Sequence, residues 1–100
     1  MVGPDEYMDT VAGQGCVLCD YLGIGFTPAQ LHHPRVQQGA AERAPNLCVV
    51  PLCPEHHTGA TGVHGLGVHG FAARYRLDEL DLLAMTLARF LRAVRVVRHG

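Results

Sequence analysis

Asn46-Leu47-Cys48-Val49-Val50-Pro51-Leu52-Cys53-Pro54-Glu55-His56-His57 is the stretch that decides the fold. Its first seven residues, Asn46 to Leu52, are apolar and β-branched enough for a strand. Pro51 must sit at an end or edge of that strand, because proline donates no ladder hydrogen bond. Pro54 then suits the first position of a short helix carrying Glu55, His56 and His57, where a missing N–H costs nothing. Cys53-x-x-His56 forms a metal knuckle at the start of that helix, and Cys16-x-x-Cys19 forms a second one upstream. Cys16, Cys19, Cys53 and His56 together offer thiolates and an imidazole in a tetrahedral set suited to structural Zn²⁺. The gap between the knuckles, residues 20–52, must hold a folded excursion, most simply a β-hairpin.

Other readings of these thiols are weaker. A thioredoxin-like redox pair needs a βαβ setting, which Gly13-Gln14-Gly15 before the first knuckle and Tyr21-Leu22-Gly23 after it do not supply. Unrelated buried thiols would leave a chain of 100 residues without the metal staple that small domains use. Cys48, in the apolar run Leu47-Cys48-Val49-Val50, is expected to be a small core residue. The N-terminus has no basic and apolar signal pattern, and no run approaches the roughly 18 apolar residues of a membrane span. A cytoplasmic, reducing setting with no membrane partner is expected, and there cysteines serve metals or redox chemistry rather than disulfides.

Working outward, residues 1–14 read as a flexible lead-in and residues 15–100 as one domain. Ala29 to His33 suits a short strand stopped by Pro34, and residues 35–45 are polar like a hairpin loop. Gly59 to Gly70 is glycine-rich and reads as a loop or a frayed helix. It contains Gly65-Leu66-Gly67-Val68-His69-Gly70, which matches a dinucleotide-binding pattern but follows no strand and opens no helix. From Leu77 the period changes. Leu80, Leu83, Leu87, Phe90, Leu91 and Val94 predict an amphipathic helix, with Asp78, Glu79 and Asp81 near its start and Arg92, Arg95 and Arg98 near its end. The fold class is therefore small α+β, a zinc-stabilised ββα unit with a long C-terminal amphipathic helix packed on it.

Composition sets a constraint on partners. Hydrophobic residues are 48% and charged residues 17%, which is globular rather than disordered. The eight basic residues are all Arg, and the net charge is −1 with His neutral. Bulk electrostatics alone would not grip nucleic acid.

Outside the zinc set, His32-His33, Asn46, His57 and His64 flank the hairpin and the short helix. The pattern His32-His33 … Asn46-Leu47 … Pro51-Leu52-Cys53-x-x-His56-His57 … Gly62-Val63-His64-Gly65 resembles an HNH (His-Me finger, ββα-metal) nuclease. Cys16-x-x-Cys19 is similar to the zinc-stabilised variant of that motif. With Phe71 and Tyr75-x-Leu77, the string from Cys16 to about Leu83 resembles the phage recombination-enhancement, RecA-dependent nuclease family.

The resemblance implies a metal-dependent DNA endonuclease. His33 matches the general base that takes a proton from water, and Asn46 matches the residue that orients it. His32, His57 and His64 match ligands of one catalytic divalent ion, with Mg²⁺ or Mn²⁺ expected and Zn²⁺ an alternative. DNA is the implied substrate, with a RecA filament or another phage recombination protein as an implied partner. The RecA-dependent family also carries a long basic N-terminal arm, whereas this sequence opens acidic, so RecA dependence is not expected to carry over with the resemblance. Arg35, Arg43, Arg74 and Arg76 are candidate DNA contacts. A different class of function stays open: a non-catalytic zinc-binding module that binds nucleic acid or a protein partner.

Overall fold

The computed structural model describes residues 3–34 and 47–99, so the expected hairpin loop, with Arg35, Arg43 and Asn46, lies outside the described residues. Along the chain run α1 (Pro4–Gly13), α2 (Val17–Tyr21), β1 (Gln30–His32), β2 (Val50–Leu52), α3 (Pro54–His57), α4 (Val63–Tyr75) and α5 (Glu79–His99). The protein is a small α+β structure. β1 and β2 pair antiparallel, with Gln30 opposite Leu52, Leu31 opposite Pro51 and His32 opposite Val50. In a sheet of two strands both are edges, which is why Pro51 is accommodated at its centre. Cys53 follows β2 directly and caps α3, with Pro54 in the first helical turn, as the sequence implied.

The core forms in two clusters. The larger packs Val17 and Leu18 of α2 against Val50 and Leu52 of β2, Val63 and Phe71 of α4, and Leu82 of α5. Burying one such side chain contributes roughly 1.5–3 kcal/mol. The smaller cluster joins Tyr7 and Val11 of α1 to Val49, with Leu31 and Phe90 against it.

That smaller cluster corrects the expectation of a flexible lead-in at residues 1–14. Pro4 in the first turn, Asp5 and Glu6 beside it, and a four-residue spacing of Tyr7 and Val11 make α1 a helix with one apolar stripe. Tyr7 and Val11 are buried, and the Tyr7 ring meets the Phe90 ring edge-on at 4.8 Å between centroids.

The C-terminal helix exists as expected, but its inner face differs from the leucine stripe. Leu82 and Thr86 are fully buried and Glu79 nearly so, whereas Leu80, Leu87 and Leu91 are exposed. The polar residues turn inward because each finds a buried partner. Glu79 meets His32, and Thr86 Oγ1 donates to the Leu82 carbonyl at 2.8 Å. A reciprocal capping box starts the helix. The Asp81 N–H donates to Asp78 Oδ1 at 2.8 Å, and the Asp78 N–H to Asp81 Oδ2 at 3.0 Å. No described helix is long and apolar enough to cross a membrane.

The glycine-rich stretch is a turn over residues 59–62 and helical from Val63 onward. α4 runs through it and kinks at Gly67, whose φ of 75° is outside the helical region. Before it, Thr61 donates to Glu55 Oε2 from both its N–H, at 2.9 Å, and its hydroxyl, at 2.6 Å. Tyr75 closes the turn by donating to the Thr61 carbonyl at 2.7 Å. This turn sets α4 against α3 and brings His64 back toward His57.

Candidate metal centres

Cys16, Cys19, Cys53 and His56 are all buried, and their ligand atoms lie within 4.8 Å of one another. Cys19 Sγ lies 3.7 Å from Cys53 Sγ. His56 Nδ1 lies 3.7, 3.5 and 3.4 Å from the sulfurs of Cys16, Cys19 and Cys53. A tetrahedral zinc site with the usual bond lengths has S···S edges of about 3.8 Å and S···N edges of about 3.6 Å. These four residues could therefore hold a structural metal such as zinc.

Local structure prepares the set. The first knuckle wraps Cys16 Sγ with the Cys19 N–H at 3.4 Å, and Ile24 N–H donates to the Cys19 carbonyl at 2.9 Å. Gly15, just before it, has φ +82°, and a Cβ there would lie 2.7 Å from the Phe26 ring. In the metal-free chain, burial pushes the Cys19 thiol up to about 12. Burial also pushes Cys53 up, but hydrogen bonds from the His56 and Glu55 N–H groups at the start of α3, and from Cys19 and Cys16, outweigh it and leave Cys53 lowered. A divalent ion would remove this conflict by binding all three sulfurs as thiolates. Cys48 stays outside the set and is half-buried.

His32, His57 and His64 form the second cluster, with one ligand atom from each within 4.8 Å of the others. Ring centroids lie 5.2 Å apart for His32 and His57, 5.1 Å for His32 and His64, and 4.9 Å for His57 and His64. Three imidazoles aimed tetrahedrally at one ion at about 2.0–2.1 Å have centroids about 5 Å apart. Strand β1 supplies His32, α3 supplies His57 and the first turn of α4 supplies His64. His32 is buried, His57 half-buried and His64 exposed, so the cluster opens to solvent on the α4 side. Burial, together with His32 and His64 nearby, lowers the His57 pKa and favours its neutral, ligand-competent form.

The structure thus brings together the three expected histidines. His33 is not among them. It follows β1, is half-buried, and its Nε2 is buried with no hydrogen-bond partner among the described residues. Asn46, its expected orienting residue, lies outside the described residues, as do Arg35 and Arg43. Arg74 and Arg76 are exposed; Arg74 lies 5.5 Å over the Tyr75 ring, and Arg76 ends α4 in a left-handed conformation with φ 57°. Arg89 on α5 is half-buried. Its Nη2 donates to the Gln14 and Gly15 carbonyls, tying the end of α1 to α5.

Two residues at the histidine cluster escaped the sequence reading. Glu79 contacts His32 Nε2 through Oε2, with both side chains almost fully buried. Gln30 Oε1 lies 2.9 Å from His57 Nδ1. A signal existed for Gln30, since residues two apart on a strand share a face and Gln30 precedes His32 by two. None existed for Glu79, whose place in an acidic first helical turn reads as a dipole partner. Compared with family models, with curated proteins and with solved structures, the chain has no match.

Proposed function

We propose that the protein is a metal-dependent DNA endonuclease of the HNH, ββα-metal type. The observation that carries this reading is the convergence of His32, His57 and His64 beside, and separate from, the Cys3His set. A structural zinc site alone needs no second imidazole cluster with an open side.

In this reading His32, His57 and His64 hold one divalent ion, and three imidazoles suit Mn²⁺ or Zn²⁺ better than Mg²⁺ unless waters complete the shell. When bound, that ion supplies Lewis-acid stabilisation to the scissile phosphate and to the departing 3′ oxygen. His33 takes the proton from a water whose oxygen forms the new bond to phosphorus. The bond from phosphorus to the 3′ oxygen breaks, and that oxygen takes a proton from solvent, leaving a 5′-phosphate and a 3′-hydroxyl. Imidazole is the side chain most often used for such a proton transfer. Because Nε2 of His33 is covered in the free chain, the ring must turn about its soft terminal torsion when substrate arrives. The net charge of −1 gives weak, salt-sensitive DNA affinity, which a recombination filament or other partner would offset by delivering the substrate.

The test is nicking of supercoiled plasmid with Mn²⁺ or Mg²⁺ by wild type and His33→Ala, with zinc content and melting temperature measured on both. Nicking should fall about 10²–10⁴-fold in the variant while zinc and stability persist. Wild type that cleaves duplex, single-stranded and D-loop DNA no better than the variant removes the nuclease reading.

The covered His33 nitrogen favours a second reading, a non-catalytic zinc module that binds nucleic acid or a protein. Metal stoichiometry separates them: two ions per chain under the first reading, one under the second.

A further inference from the structure

Glu79 sits ten residues from the nearest Arg of its own helix and is nearly fully buried, yet its carboxylate has a partner in the histidine cluster rather than a guanidinium. Gln30 reaches the same cluster from the other side. Each contact fixes a ring nitrogen. A carboxylate only accepts, so His32 donates through Nε2–H to Glu79 Oε2, which leaves Nδ1 of His32 with its lone pair free. An amide oxygen also only accepts, so His57 donates through Nδ1–H to Gln30 Oε1, which leaves Nε2 of His57 free.

We propose that Glu79 and Gln30 are positioning residues for a divalent ion at the histidine cluster, so that His32 binds through Nδ1 and His57 through Nε2. This rests on reading His32, His57 and His64 as a metal centre. Histidine ligands at metal sites usually donate their second N–H to a carboxylate or carbonyl, which fixes the tautomer and raises the basicity of the coordinating nitrogen. Here the carboxylate comes from the first turn of α5 and the amide from β1, so separate segments set the two rings. The capping box of Asp78 and Asp81 fixes the helix start from which Glu79 projects, so Glu79 reaches His32 from a held backbone. His64 is the most exposed of the three, which makes it the adjustable third ligand.

The test uses the full chain with its Cys3His site filled by zinc. Long-range ¹⁵N NMR before any second ion is added should show His32 as the Nε2–H tautomer and His57 as the Nδ1–H tautomer. Titration with Mn²⁺, followed by loss of the free-ion EPR signal, should give one further site. Glu79→Ala and Gln30→Ala should each weaken that site about 10–100-fold and release the tautomer they fixed. Glu79→Gln keeps an acceptor without the charge, so it should keep the His32 tautomer and lose a smaller share of affinity. If Glu79→Ala fails to fold, Glu79→Gln and the exposed Gln30→Ala carry the test. Variants that bind Mn²⁺ as tightly as wild type, with unchanged tautomers, overturn the positioning role and leave the metal centre standing. Wild type that takes up no second ion removes both.

Discussion

His56 and His57 are consecutive in sequence yet belong to different ligand sets. Nδ1 of His56 lies 3.4 Å from Cys53 Sγ, whereas the His57 ring lies 4.9 Å from that of His64. The helix that carries both is a single turn, held by the His57 N–H to the Cys53 carbonyl at 2.9 Å and the Thr58 N–H to the Pro54 carbonyl at 3.0 Å. A helix this short has no stability of its own. Whatever orders His56 therefore also orders His57.

Cys19→Ser tests that dependence. It should lose the bound zinc and either unfold the chain or lower its melting temperature sharply, because metal binding supplies folding free energy at such sites. Any ion held by His32, His57 and His64 should be lost with it. Cys48→Ser, outside the set, should keep zinc content unchanged. Elemental analysis beside thermal melting reads both, and a Cys19→Ser chain that keeps zinc and its melting temperature sinks the assignment.

Gly65→Ala should be among the most damaging single changes. A Cβ at Gly65 would stand 2.1 Å from the Gly59 carbonyl oxygen, a backbone atom that cannot swing aside. The first turn of α4 must then move away from the turn before it, carrying His64 with it. Loss of about 2 kcal/mol or more is expected from such a clash, together with weaker Mn²⁺ uptake in zinc-loaded protein. Urea unfolding and the Mn²⁺ titration check the two effects separately.

Arg89→Ala and Arg92→Ala should behave differently although both remove one charge from α5. Arg89 is only 11% exposed and holds the Gln14 and Gly15 carbonyls. Its loss should cost about 1–3 kcal/mol. Its pair with Asp20, 3.8 Å away and with the carboxylate exposed, adds little. Arg92 is exposed and should cost almost nothing in stability. If DNA contacts reach α5, only Arg92→Ala should flatten the salt dependence of binding, which equilibrium titration at several ionic strengths will show.

Tyr7→Phe should stabilise the protein. The Tyr7 hydroxyl is buried without a hydrogen-bond partner among the described residues, and the ring contact with Phe90 survives its removal. A gain of about 1 kcal/mol is expected. Burial, with a smaller contribution from Cys48, also raises the Tyr7 pKa. A raised folded value means that the folded state holds the proton longer than the unfolded one. That contribution is present below the unfolded value of about 10 and is lost as pH rises through the folded value. Wild type should therefore lose more stability than Tyr7→Phe between pH 9 and pH 11, approximately, in denaturant melts.

Spacing made the Cys3His set legible, because two knuckles need no knowledge of the fold between them. The strand and helix around Cys53 were legible for the same local reasons, through Pro51 and Pro54. His32, His57 and His64 were legible by resemblance and come together in the structure. The long helix was legible as a helix but not in its facing. Leucine counting assumes that apolar residues turn inward, and here Glu79, Thr86 and Arg89 have buried partners that no periodicity reveals. α1 carries a helix-start signature in Pro4, Asp5, Glu6, Tyr7 and Val11, which the loop-like glycines at its two ends, Gly3 and Gly13, obscure in the sequence. Glycines hid α4 likewise; they serve close approach and one kink rather than flexibility.

The contacts that define this structure join distant parts of a short chain. Cys19 and Cys53 are 34 residues apart, His32 and Glu79 are 47 apart, and Gln14 and Arg89 are 75 apart. A folding chain must close a long loop before any of these three contacts rewards it. Closure entropy grows only logarithmically, so the first closure is costly and the later ones add about 0.7 kcal/mol or less each. A zinc ion captured at Cys16 and Cys19 and then by Cys53 and His56 would close that first loop. Refolding speed should then track the free zinc concentration, with ion capture as the nucleating event and the two ends of the chain docking last.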